Sequence, residues 1–273
     1  MHLDFLYQRV ESFVDDGGPY KLHTQPNSKT GEITVYGQVL GEPPTDEWGA
    51  ILGDVVHNLR SALDHLVWQL TIAEGHMPPP NPIPKRGLGS EWRDIGFPIY
   101  VKPHPTDHLG NLIPWTGAKD LQSLWGIGPR LRAEFQGLQP FVTGQNPTKE
   151  PLATLDELWN IDKHRHLHPT LFYVGLHDVE SKSPKLKFRI LEKKSPGPFK
   201  GRAEIGRVEA VGGPYPNLLM VQMNVQPILT FDIAFEQGPP AYGAPVIETL
   251  SEVRHDIADI LRQFDALSRV PVP

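Results

Sequence analysis

Asp54, His57, Asn58, Arg60, Ser61, Asp64 and His65 crowd into one short stretch, and Asp162-Lys163-His164-Arg165-His166-Leu167-His168 form a second polar run just before Pro169. Of the twelve histidines in the chain, five lie in these two segments. Imidazole titrates near neutral pH and can both take and give a proton, whereas a guanidinium neutralises charge on a phosphate without itself titrating. Together the two segments read as one His/Asp/Arg site, whose candidate catalytic residues are His57, Arg60, Asp64, His65, Asp162, His164 and Arg165. Neutral imidazole and carboxylate also suit a divalent metal, and Asp54, His57, Asp64, His164 and His168 would supply enough donors for a metal-dependent hydrolase. No H-E-x-x-H spacing is present, and the neighbouring Arg and Lys side chains oppose a bound cation unless turned away. The third reading is not catalytic: His and Asp satisfy one another in a buried structural network, and the protein acts by interaction.

These groups must be placed by helices. On a wheel at ~100° per residue, Trp48, Leu52, Val55, Val56, Leu59, Ala62, Leu63, Leu66 and Leu70 fill one half of a helix expected over 46–73, with Thr45 as its N-cap. The other half holds Asp54, His57, Asn58, Arg60, Ser61, Asp64, His65 and Gln69. Between Trp48 and Ala73 there is neither Lys nor Glu, the usual furniture of a solvated helix face. Short, stiff polar groups in their place predict a face hidden from water, with the histidine-rich run at 162–168 as its cover. If that run is helical, His164 and His168 share a face, as do Asp162 and His166. If it is extended, His164, His166 and His168 point the same way.

The remaining pattern is α+β. Leu3, Leu6, Val10 and Phe13 predict a first helix ended at Asp15-Asp16-Gly17-Gly18, and the β-prone runs around Ser28-Lys29-Thr30-Gly31 predict an N-terminal hairpin. Residues 74–117, which include Pro78-Pro79-Pro80-Asn81-Pro82, read as an irregular excursion over the surface. Short helices are expected at 118–125 and 129–138. Another starts at Pro151, with Leu152, Leu155, Leu158 and Trp159 as its buried stripe. LFYVGL, KLKFRIL, AEIGRVEAV, NLLMVQMNV and ILTFDIAFE, between 170 and 236, predict an antiparallel β-meander. A last helix over 245–268 carries Ile247, Leu250, Val253, Ile257, Ile260, Leu261, Phe264 and Leu267. The expected architecture is one domain over 1–273: a bundle of four main helices in 1–170 and 245–268 with a single sheet, and no internal repeat.

Composition narrows the partners. A formal charge of −6 and a pI near 6.0 exclude a general electrostatic grip on nucleic acid or anionic membrane, so any RNA contact must be local. The absence of cysteine excludes disulfide-linked partners, thiolate metal sites and cysteine nucleophiles. The start, MHLDFLYQRVESF, is not a secretory signal, and no run approaches the ~20 apolar residues of a membrane helix. A cytoplasmic location is the expectation.

Four motifs stand out: G-D-x-x-H-N-L-R-S-A-L-D-H-L at Gly53–Leu66, F-P-I at Phe97–Ile99, L-Q-P-F at Leu138–Phe141, and L-x-x-L-x-x-x-D-K-H-R at Leu155–Arg165. Together they resemble a group of uncharacterised bacterial and phage proteins over roughly the first 170 residues. Arg60 and His65 also fit the Arg, four to six residues, His signature of the HEPN superfamily, helical-bundle proteins of which many are metal-independent ribonucleases in defence and toxin systems. That resemblance implies a helical, metal-independent ribonuclease with RNA as substrate and no cofactor, in which His57, His65 and His164 are the acid and base candidates and Arg60 with Arg165 neutralises the phosphate in the transition state. Arg60 and His65 stand ~140° apart on the wheel, so they converge only through a bend or across a homodimer.

Leu121-Gln122-Ser123-Leu124-Trp125-Gly126-Ile127-Gly128-Pro129-Arg130 looks like the turn of a helix-hairpin-helix element, whose backbone N–H groups meet a phosphate at a helix start. The same residues also suit a plain interhelical turn with Pro129 at the first helical position.

Overall fold

The computed structural model describes residues 2–15, 20–27, 29–41, 43–79, 83, 89–117, 121–164, 167, 169–182, 187–194, 197–198, 201–211, 225–236 and 241–268. Six α-helices alternate with seven strands among them: α1 (His2–Asp15), α2 (Thr45–Ala73), α3 (Pro129–Gly137), α4 (Pro140–Thr143), α5 (Pro151–His164) and α6 (Val246–Ser268). The strands are β1 (Tyr20–Pro26), β2 (Glu32–Val39), β3 (Pro169–Ser181), β4 (Lys187–Lys193), β5 (Gly197–Pro198), β6 (Arg202–Val211) and β7 (Val225–Phe235). The chain divides into two compact units, one of residues 1–51 and 167–248 and the other of residues 52–166 and 249–273.

The first unit is β-rich. β1 and β2 form the expected antiparallel hairpin, with Tyr20 opposite Val39 and Pro26 opposite Ile33. The expectation of one meander is corrected by the pairing. A four-stranded sheet runs β1-β2-β6-β4, and a separate three-stranded sheet runs β5-β3-β7. The hairpin would otherwise leave β2 an open edge of unpaired N–H and C=O groups, and β6 closes it. The NLLMVQMNV run lies, but for its last residue, outside the described residues. Alternation on β2 buries Ile33 and Val35, and a register irregularity opposite Val35 and Tyr36 lets Ile205 and Val208 of β6, three positions apart, enter the same core, completed by Leu176 and Val179 of β3. Gly206 permits that approach, since a methyl group there would come within 2.9 Å of Leu176 and 2.6 Å of the Glu192 carbonyl oxygen.

The second unit is helical and carries every residue of the candidate site that lies within the described chain. In α2, Leu52, Val55, Val56, Leu63 and Leu70 of the expected stripe are buried, Leu59, Ala62 and Leu66 are half-buried, and Val67, outside that stripe, is buried too. In α5 the buried stripe is Leu152, Leu155 and Leu158. The expectation that 74–117 merely passes over the surface does not hold. Its backbone is largely irregular, broken by a 3-10 turn at Ser90–Arg93, yet Trp92, Phe97 and Trp115 are fully buried. Aromatic side chains bury so much area that they draw the segment into the core despite its Pro and Gly. Trp92 packs against Trp68 at 4.5 Å and Trp125 at 5.7 Å between ring centroids, and Phe97 against Phe135 at 5.4 Å. The helix expected at 118–125 is reduced to a 3-10 turn at Gln122–Leu124, with 118–120 outside the described residues. No helix among the described residues is long and apolar enough to cross a membrane.

Candidate functional site

α2 and α5 meet through three contacts in antiparallel order. A methyl group on Gly53 would lie 2.7 Å from Asp162 Oδ1, so only glycine lets that carboxylate sit against the helix backbone. One turn on, the His57 and Trp159 rings stand 5.1 Å apart, with the Lys163 ammonium 4.6 Å from the Trp159 ring centroid. A further turn on, Arg60 Nη1 lies 3.5 Å from Asp156 Oδ1.

Arg60 and Asp64, one helical turn apart, grip both backbone groups of a single residue, Phe97. Arg60 Nη2 donates to the Phe97 carbonyl at 2.7 Å, and Asp64 Oδ1 accepts the Phe97 N–H at 2.8 Å. The two side chains are also ion-paired to each other, Nη2 to Oδ1, at 3.2 Å. The Arg60 side chain is 14% exposed, and its Nε and Nη1 are buried without a hydrogen-bond partner among the described residues. Burial raises the Asp156 pKa, with the Arg60 and Lys163 charges pulling the other way. Asn160 Nδ2 donates to Asp156 Oδ2 at 3.3 Å.

The same segment is held from its other side by Gln139, which is completely buried. Gln139 Nε2 donates to the Pro98 and Phe135 carbonyls, both at 3.0 Å, and its Oε1 accepts the Tyr100 N–H at 2.9 Å. Both polar atoms are spent on backbone groups, two of the three bonds going to the irregular 97–100 segment and one to the α3 carbonyl of Phe135. The four sequence motifs thus become one construction. Gly53, Arg60 and Asp64 come from the first, Phe97 and Pro98 from the second, Gln139 from the third, and Asp162 from the fourth.

No protein-family model, curated protein or solved structure matches this chain.

The other expected site residues stand elsewhere. His57, His65, Asp54 and Asn58 are exposed, so the polar half of α2 is not hidden as a set and only Arg60, Ser61 and Asp64 are partly covered. Among the described residues the cover is α5 through Asp156, Trp159 and Asp162, together with residues 95–97. His164 is exposed at the end of α5, and among the described residues no hydrogen bond joins it to α2. Arg165, His166 and His168 lie outside the described residues. Among the described residues no three His, Cys, Asp or Glu side chains gather as a metal would require, and Asp54, His57, Asp64 and His164 do not form such a set. At the hairpin-like turn, Gly126 has φ +77° as such turns need, but a methyl group on Gly128 would come within 2.6 Å of Glu74 Oε2. A carboxylate already occupies the start of α3, where a phosphate would have to approach.

Beside the clamp is a cavity of about 360 Å³ lined by Ser61, Asp64, His65, Trp68, Gln69 and Ile95. Ser61, His65 and Gln69 recur every fourth residue and so form one row along α2. Ile95, from the excursion, is the wall across from them. Sequence reasoning singled out Ser61, Asp64 and His65 and counted Gln69 on the polar half. It gave no reason to expect Trp68 or Ile95, because a cavity wall formed by a distant irregular segment leaves no periodic trace.

Proposed function

We propose that this chain is a non-enzymatic binding protein in which Arg60, Asp64 and Asp156 are architectural, and in which the cavity lined by Ser61, His65, Trp68 and Gln69 receives a small polar ligand. The observation that carries this reading is that both side chains are spent on one residue, Arg60 donating to the Phe97 carbonyl and Asp64 accepting the Phe97 N–H. Phosphodiester cleavage asks a guanidinium to face a phosphate in the transition state. Arg60 instead spends its Nη2 on a carbonyl and keeps two carboxylates, Asp64 and Asp156, close to its guanidinium, where they would repel an incoming phosphate. What is left to a ligand on α2 is a row of short neutral or weakly basic groups around an indole. That composition suits hydrogen-bonded recognition better than charge neutralisation.

The test is incubation of the purified protein with total RNA in EDTA, alongside His65→Ala and Arg60→Ala, with thermal unfolding of each. RNA is expected to stay intact with wild type, and Arg60→Ala to lower the unfolding temperature. RNA degraded by wild type and spared by His65→Ala would overturn the binding reading in favour of the ribonuclease.

A further inference from the structure

The cavity beside the clamp has a chemistry that narrows its occupant. Resting on the binding reading above, we infer that it takes a neutral, planar nitrogen heterocycle with neighbouring N–H donors, a guanine-type base or its nucleoside.

Size comes first. The groove, about 360 Å³ and open to solvent on the side of the exposed His65 and Gln69, falls at the small end of the roughly 300–1,000 Å³ span of small-molecule sites. The apolar walls are Trp68 and Ile95. Trp68 is braced by Trp92, 4.5 Å away with its ring at 62°, and Trp92 is itself 2% exposed and packed on Trp125. An indole already fixed by its neighbours contributes apolar contact at little further cost in side-chain entropy, and an aromatic ligand gains from an aromatic lining residue.

Charge comes next. Neither Lys nor Arg lines the cavity, and the Asp64 carboxylate does, so a phosphate or carboxylate ligand would meet repulsion. A full cation gains little either, because Asp64 enters already paired to Arg60 at 3.2 Å. A neutral ligand with N–H donors is what remains. Asp64 uses Oδ1 for both Phe97 and Arg60, and a carboxylate is the strongest kind of acceptor among the lining groups. Ser61 and Gln69 stand on the same helix row: the Gln69 amide accepts through Oε1 and donates through Nε2, and with His65 it can serve a ring carbonyl or ring nitrogen, while the Ser61 hydroxyl stands 3.4 Å from His57 Nε2. Among common bases guanine alone places two N–H donor groups side by side with a carbonyl next to them. Adenine and uracil alternate donor with acceptor and leave one of the wall acceptors unmatched.

Isothermal titration and tryptophan emission of the full chain are measured with guanosine, adenosine, uridine, guanosine monophosphate and agmatine. Saturable binding of guanosine is expected, weaker binding of the monophosphate, and little response to the rest. Gln69→Leu should weaken guanosine by about tenfold, the loss of one well-made hydrogen bond, with an unchanged unfolding temperature because Gln69 is exposed. Guanosine that fails to bind in the millimolar range, or binds Gln69→Leu and Ser61→Ala as well as wild type, overturns the ligand assignment. So does agmatine binding at least as tightly as guanosine. Cleavage of RNA in EDTA sinks the binding reading whatever guanosine does, whereas intact RNA with no guanosine binding sinks the ligand class alone.

Discussion

Arg60 and Phe97, thirty-seven positions apart, are joined by a 2.7 Å hydrogen bond from guanidinium to peptide carbonyl, and Asp64 returns the Phe97 N–H at 2.8 Å. A pair of side chains on one helix turn therefore does for Phe97 what a neighbouring strand would do, satisfying both of its backbone groups where no sheet is available. Because the donors and acceptors are partly buried, removing one leaves the others uncompensated. Arg60→Ala is expected to destabilise the protein by roughly 2–3 kcal/mol, since Asp64 and Asp156 would be left without their cation and the Phe97 carbonyl without a donor. Arg60→Lys should recover only part of the loss, as an ammonium cannot span carbonyl and two carboxylates with a planar fork. Urea unfolding is the measurement, and a wild-type midpoint for Arg60→Ala would mean that the clamp carries no stability.

Much of the helical frame was legible in advance, because a long amphipathic period is a local property. The stripe from Leu52 to Leu70 located α2, and Leu152, Leu155 and Leu158 located α5. The peculiarity of the α2 polar face was legible too, but its cause was not. Arg60 and Asp64 are bonded to backbone atoms of Phe97, and every residue has such atoms, so nothing in the side chain at 97 announces the partner. Gln139 hides in the same way, all of its bonds going to the Pro98, Tyr100 and Phe135 main chain. The sorting of strands into two sheets was equally silent, since an alternating pattern assigns a strand's faces without choosing its neighbours. Trp92 illustrates the converse error: Pro and Gly around it argued for a surface loop, and the burial of one indole outweighed them.

Asp256 of α6 provides a prediction in pH. Burial, followed by the charges of Asp259 and Glu150, raises its pKa above the ordinary 3.8. A carboxyl whose folded pKa exceeds its unfolded one binds its proton more tightly in the native state. Its contribution is thus most favourable below the unfolded pKa, and stability falls as pH rises from there through the raised value. Asp256→Asn removes the ionised form and should raise the unfolding temperature modestly at about pH 7, while at about pH 3, where both versions are neutral, the two should coincide. Calorimetry at both values checks this. A variant less stable than wild type at neutral pH would show that the ionised Asp256 is favourable in the fold.

Two glycines on α2 test how much its close contacts are worth, with opposite expectations from helix propensity and packing. In an open helix, Gly→Ala is stabilising by about 1 kcal/mol. At Gly49 a methyl group would come 2.4 Å from the Leu167 carbonyl oxygen, a backbone atom that cannot rotate away. The clash there should outweigh propensity, and Gly49→Ala is expected to destabilise by about 1–3 kcal/mol, the usual cost of forcing an extra carbon into a packed contact. At Gly53 the obstacle is the Asp162 carboxylate, at 2.7 Å, which belongs to a side chain with two torsions of its own. Gly53→Ala should therefore cost less than Gly49→Ala, and adding Asp162→Ala should relieve part of that cost, because the contact partner is then gone. Equal losses at the two sites, or no relief from the second substitution, would place the constraint in the helix backbone itself and deny Asp162 its place against Gly53.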